Sequence, residues 1–256
     1  MQFIKTLLRP LFLVVIGLLT FINVGAQTTI ATSGFTNNNG FGLVTFNFRN
    51  NNASAVMITD IASIVSTSGG VDVKAFFKPS AINGAPGAIS SANGWTQFGS
   101  ATITGVGTTT GTTPQSFMSG LTLLVPAGAT FGIAVQAADA GSATGCLRYS
   151  TVPAGTYTFS GAGCDVVTGT SIGYAGDISP ATPANSPRGF LGSVGFVTPP
   201  ACSGTPVPGN TVSSVASACP GTGFTLSLQN ALLFSGLTYQ WQSASAAAGP
   251  WSNIVG

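Results

Sequence analysis

Short stretches in which apolar and polar residues alternate with a period of two recur along this chain, separated by turns rich in Asn and Gly. In Leu43–Arg49, Val44, Phe46 and Phe48 alternate with Thr45, Asn47 and Arg49, which predicts one apolar and one wet face. Val71, Val73, Ala75 and Phe77 alternate in the same way with Asp72, Lys74, Phe76 and Lys78. Leu121, Leu123 and Val125 lead into Pro126-Ala127-Gly128, and Phe131, Ile133 and Val135 then resume the pattern, so two neighbouring strands are expected there. Weaker strand signals cover 56–65, 96–103, 146–150, 156–159 and 190–197. Successive side chains of an extended strand point to opposite faces, so this alternation buries one face and leaves the other to water. The intervening Asn37-Asn38-Asn39-Gly40, Asn50-Asn51-Asn52, Ser68-Gly69-Gly70 and Asn83-Gly84 supply residues that tolerate the positive φ of tight turns. Short strands at this spacing, with no helical period between them, predict an all-β chain containing a jelly-roll-like β-sandwich.

Composition agrees. Charged residues make up 5% of the chain, and it contains neither His nor Glu. Good helix formers such as Lys and Glu are therefore scarce, while Thr, Val, Phe and Gly favour strands and turns. Low charge would suggest disorder if apolar residues were also few, but they reach 44%, enough to build a core.

The first residues have the three-part order of a secretory leader. Lys5 and Arg9 precede an apolar run from Leu11 to Val24, which closes on Val24-Gly25-Ala26, so residues 1–26 are expected to be removed and Gln27 to begin the mature chain. A retained anchor is the competing reading, but the run is shorter than the ~20 apolar residues a bilayer span needs. No membrane span is expected after cleavage, and the chain is expected to be secreted or displayed at the cell surface. Cleavage removes two of the 7 basic residues and leaves 5 against 5 acidic ones, a net charge of zero. Without a basic stripe, nucleic acid is excluded as a partner class.

One domain over 27–198 accounts for the alternating stretches, and Pro199-Pro200 marks its end. Beyond it, Cys219-Pro220-Gly221 precedes the alternating Phe224, Leu226 and Leu228, and Leu237-Thr238-Tyr239-Gln240-Trp241-Gln242 follows a Ser235-Gly236 turn. A Cys on one strand and a Trp on the next form the first half of an immunoglobulin-like pattern, with Cys219 and Trp241 as its core residues. Residues 199–256 are therefore expected to be an Ig-like domain, incomplete at its C-terminus.

These residues carry a family resemblance. Cys202-Ser203-Gly204-Thr205-Pro206, Pro208-Gly209-Asn210-Thr211, Ala218-Cys219-Pro220-Gly221, Phe224 to Leu228, Gly236 to Ser243 and Gly249-Pro250-Trp251-Ser252-Asn253-Ile254 resemble the Ig-like repeats of large secreted Bacteroidetes surface proteins. The turn at Val125-Pro126-Ala127-Gly128 and the Pro187-Arg188-Gly189-Phe190 stretch resemble, more weakly, the N-terminal sandwich domains of such proteins. The resemblance implies non-catalytic spacer or adhesive modules and export by the type IX secretion route. It also implies that Cys219 bridges to a Cys on a later strand, although pairing with Cys202 is an alternative.

The chemistry open to the chain is narrow. Cys146 and Cys164 lie within one module, and a disulfide between them is expected, worth about 3 kcal/mol in the chain-entropy model. Zinc is disfavoured by the lack of His and of any CxxC spacing. Without His, serine or cysteine catalytic triads are impossible, and the Asp residues fall singly outside any recognisable motif, so no enzyme is expected. Gly105-Val106-Gly107-Thr108-Thr109-Thr110-Gly111 has the wrong spacing for a phosphate loop and reads as a flexible loop. No cofactor is expected; Asp139, Asp165 and Asp177 are the candidate ligands should Ca2+ bind. For a glycan the candidate site is Trp95 with Asn93 and Gln97, an aromatic platform beside amides, against the competing expectation that Trp95 packs in the core. The expected function is that of a non-catalytic structural or adhesive surface protein with a cell-surface glycan or protein as partner. The alternative is a carbohydrate-binding module that targets a separate secreted enzyme domain.

Overall fold

The structure, a computed structural model, describes residues 26–200 and, beyond them, 205, 207, 209–217, 219, 221–229, 240–246 and 248–254. The expected leader lies outside the described residues except for Ala26, and Cys202 lies outside them too.

The strands run β1 Thr28–Ala31, β2 Asn39–Phe41, β3 Leu43–Asn50, β4 Val56–Val65, β5 Gly70–Lys78, β6 Thr96–Thr104, β7 Gln115–Met118 and β8 Leu123–Val125. They continue as β9 Thr130–Asp139, β10 Leu147–Thr151, β11 Thr156–Gly161, β12 Cys164–Gly169, β13 Ala175–Gly176, β14 Arg188–Gly189 and β15 Gly192–Val197. Helical structure among the described residues is confined to one 3-10 turn at Ser91–Asn93. The chain is all-β.

Two antiparallel layers face each other. One has the order β11-β12-β3-β9-β5-β6. The other runs β1-β15-β4, and both β7 and β8 pair with the free side of β4. β10 links the layers, pairing with β4 and, through β14, reaching β12. The period-two pattern explains the core. Phe46, Phe48, Val71, Val73, Ile133 and Val135 from the first layer are buried together with Ile58, Ile61, Val194 and Phe196 of the second. Phe46 stacks on Phe190 with ring centroids 4.2 Å apart, and Phe48 meets Phe196 edge-on at 5.6 Å. The Phe48–Phe196 pair crosses from layer to layer, and Phe190, just after β14, covers Phe46 within the same core.

Two sequence expectations are corrected. β8 and β9 follow each other in the chain but do not pair with each other; β8 joins β4 and β9 joins β3 and β5. The turn, with Gly128 at φ +69°, therefore carries the chain from one layer to the other, which lets Val125 and Phe131 enter the same core from opposite sides. The outer face of β3 is not wet along its length: Thr45 and Asn47 are buried. Residues 79–95 and 170–185 cover it and satisfy its polar groups. Asn47 donates to Ile82 O (3.0 Å) and accepts from Ile82 N (2.8 Å), while Thr45 donates to Ile172 O (2.7 Å) and accepts from Tyr174 N (3.0 Å). Under this cover Leu43, Phe76, Ile82, Ile89, Trp95 and Ala134 form a second apolar cluster.

After Val197 the described residues form two two-stranded ribbons, β16 Thr211–Ser213 with β17 Leu226–Leu228 and β18 Gln242–Ser243 with β19 Ser252–Asn253. Cys219 is exposed and Trp241 half-buried, so neither is a fully buried core residue as expected. A two-stranded ribbon has no second layer to bury its side chains.

Candidate functional site

The cover over the outer face of the first layer stops short, and strand register decides what it leaves open. β9, β5 and β6 bring Gln136, Lys74 and Ser100 into one row across the sheet. Two residues along, the same strands bring Ala138, Asp72 and Thr102 into the next row on that face. In the opposite direction the row containing Phe76 and Ala134 belongs to the apolar cluster sealed by Trp95. The two polar rows line an open groove of about 270 Å³, with Ser142 and Ile178 on its rim. Ala138, 2% exposed, lies on the floor.

Each polar group of the groove has a defined state. Asp72 accepts hydrogen bonds from Thr102 Oγ1 (2.7 Å) and Gly141 N (3.1 Å). The Thr102 hydroxyl, then the Gly141 amide and the nearby Lys74 charge hold its carboxyl below the usual range, so it is ionised at neutral pH. Gln136 is 3% exposed. Its Oε1 accepts from Ser179 N at 2.7 Å, and its Nε2 donates to nothing among the described residues. Lys74 likewise has no hydrogen-bond or ion-pair partner among them. Asp72 is the one carboxylate lining the groove. The arrangement sets an acceptor beside two donors on rigid strands and suits recognition by hydrogen bonds.

The glycan platform expected at Trp95, Asn93 and Gln97 is corrected. Trp95 is 2% exposed and packs onto the apolar row of the sheet. A large ring is what covers Phe76, Ala134 and Leu43 there, so packing claims the indole and no face is left for a sugar. Asn93 spends its amide on Ala88 O (2.9 Å), and Gln97 is exposed on β6. Another cleft, of about 300 Å³, lies among Phe35, Tyr157 and Phe159. Its rings meet one another edge-on at 5.3 and 5.2 Å, and Tyr157 donates its hydroxyl to Pro153 O (3.1 Å).

The expected Cys146–Cys164 disulfide is not formed; both thiols are free and buried. Cys164 stands opposite Asn50 at one end of β3. Cys146 donates its amide to Ala137 O (3.0 Å), and Ala137 N in turn bonds Gly42 O (3.0 Å), which precedes the other end. From Gly42 to Asn50 an extended strand covers about 25 Å, whereas a disulfide needs Cα atoms within about 7 Å. Burial, reinforced by the Asp139 carboxylate, pushes the Cys146 thiol up to about 12. Burial also raises Cys164, to about 11, against a lowering hydrogen bond from Asn52. In native protein at pH 8, Cys219 is therefore expected to take up a thiol reagent promptly while Cys146 and Cys164 label only after unfolding, read by peptide mapping. Prompt labelling of both, or a Cys146–Cys164 cross-linked peptide, contradicts this placement.

The candidate calcium ligands do not converge: among the described residues no group of three or more metal-ligating side chains occurs. Asp165 is 5% exposed and is spent as a brace. It accepts from Arg49 Nε (2.8 Å), Asn51 Nδ2 (2.6 Å) and Ser160 Oγ (2.5 Å), and pairs with Arg49 at 2.7 Å. Burial raises its pKa, but the hydrogen bonds from Ser160, Asn51 and Arg49 and the Arg49 charge outweigh that, and the net shift is downward. A carboxylate lowered on folding stabilises fully above its unfolded value of about 3.9 and loses that contribution as pH falls through the lower folded value. Asp165→Ala is expected to cost about 2 kcal/mol at pH 7, since it orphans several donors. The gap between wild type and variant should narrow as pH falls below the unfolded value and through the lower folded one, as measured by urea titration. A pH-independent gap would refute the brace.

The groove residues were visible in the sequence as the polar side of an alternating strand, but nothing there showed that β9 and β6 flank β5. Comparisons with known proteins add little. No family model matches the chain, and no curated protein does. One solved structure of infectious bursal disease virus, Gt strain, is similar at 12% identity and a TM-score of 0.23, covering 69% of this chain and 40% of that one. The chain thus spans less than half of that protein, and the overlap is too low to carry an argument. No helix among the described residues is long and apolar enough to cross a membrane.

Proposed function

We propose that this is an exported, non-catalytic adhesive or structural surface protein, in which a β-sandwich followed by an Ig-like module presents a binding face to its surroundings. The observation that carries the reading is the open groove, whose polar groups are fixed by strand register and whose carboxylate is already hydrogen-bonded, an arrangement made to hold and not to transform. The leader-like N-terminus, the absence of His and Glu from the sequence and the resemblance of residues 201–256 to Ig-like repeats support it. A carbohydrate-binding module that targets an enzyme shares the same groove and differs in what it is tethered to.

The test is expression of the full chain in a Bacteroidetes host, followed by fractionation and N-terminal sequencing. The expected product begins at Gln27 and is found outside the cell or on its surface. Uncleaved protein confined to the cell interior would overturn the proposal.

A further inference from the structure

We infer that the groove between β9, β5 and β6 is a saccharide site that takes one neutral hexose unit of a glycan; the inference rests on the adhesive reading and gives it a ligand class.

The footprint comes first. Three strands spaced about 4.8 Å apart, and two rows about 7 Å apart along them, define a polar patch of roughly 10 by 7 Å. One pyranose ring with its hydroxyls covers such a patch, and the groove of about 270 Å³ holds it.

The chemistry comes second. A sugar hydroxyl both donates and accepts, so it is best held where a carboxylate lies next to a cation or an amide N–H. The register supplies that adjacency: Asp72 is two residues from Lys74 on β5, and Lys74 is directly across from Gln136 and from Ser100. A carboxylate has about four lone-pair positions, and Asp72 uses two, on Thr102 and Gly141. Gln136 is the most telling group. It is 3% exposed and its carbonyl is fixed by Ser179 N, which aims the unpaired Nε2 at the groove. That N–H is a positioned donor which a ligand hydroxyl can take up.

Charge selects the class of sugar. One carboxylate and one ammonium cancel, so the groove attracts neither phosphate nor polyanion, and a neutral hexose fits it. Ala138 on the floor and Ile178 on the rim offer apolar contact to the C–H groups of the ring.

The experiment is saturation-transfer NMR on residues 27–256 with methyl α-mannoside, methyl β-glucoside, methyl β-galactoside and N-acetylglucosamine, run beside an adhesion assay on whole cells. Wild type should transfer saturation to the ring protons of at least one sugar. Lys74→Met loses no hydrogen bond of the fold and should weaken binding roughly tenfold, the loss of one charged donor. Ala138→Leu puts a larger side chain on the groove floor and should abolish the signal. No signal with any of the four sugars, or a signal untouched by both variants, overturns the inference. If cells still adhere in that case, the adhesive reading survives without it. Sugar binding that responds to both variants, with no adhesion, keeps the site and overturns the adhesive reading.

Discussion

Phe46→Ala is expected to destabilise the sandwich by about 4 kcal/mol, the middle of the range for emptying a buried aromatic site. Phe46 is fully buried, and its ring stacks on Phe190 with centroids 4.2 Å apart. Truncation removes the transfer energy of the ring and leaves Phe190 facing a void. The void has little chance to close, because β3 is held on one side by β12 and on the other by β9. In a domain of this size each kcal/mol moves the melting temperature by about 2–4 °C, so a fall of about 12 °C should accompany the change. Urea unfolding followed by tryptophan fluorescence measures it. A loss under about 1.5 kcal/mol would mean that Phe190 does not close on Phe46 in this core.

Trp95→Ala is expected to cost about 3–5 kcal/mol, whereas Trp95→Phe should cost less than about 1.5. The indole seals the apolar cluster of Leu43, Phe76, Ile82, Ile89 and Ala134, so deleting it exposes that cluster to water. Its Nε1, however, is buried without a hydrogen-bond partner. Phe keeps most of the apolar ring and removes the unpaired donor, which offsets part of the lost volume. If Trp95 served as an exposed platform, both variants would be nearly neutral in stability. Calorimetry of the pair separates the two cases.

Local alternation was enough to find β3, β4, β5 and β6, because apolar side chains facing the core recur at about every second residue there. It failed at β12. All six residues of β12 are buried, so Cys164–Gly169 shows no alternation and was not seen as a strand. The same cause misassigned Thr45 and Asn47 to water: their covering loops come from 79–95 and 170–185, distant segments whose backbone groups meet them only in the fold. The disulfide between Cys146 and Cys164 failed for a related reason, since spacing along the chain measures loop length and carries no information on which end of β3 each thiol reaches. The sequence places Trp95 beside Asn93 and Gln97, yet which row of the sheet it lies on depends on the pairing of β9 with β5. The groove was half legible. Asp72 and Lys74 lay in plain view on one strand, while Gln136 and Ser100 became their neighbours only through pairing order.

β1 pairs with β15, so that Thr28 lies across from Phe196 and Ile30 across from Val194. The opening strand therefore has no partner until the closing one has been synthesised. Bringing together ends this far apart carries a loop-closure cost that grows with the logarithm of the separation, and such long-range pairing is slow. Under the export proposed above, the first strand would cross ahead of its partner, and the β1–β15 pair would close only once the last strand of the sandwich had followed it.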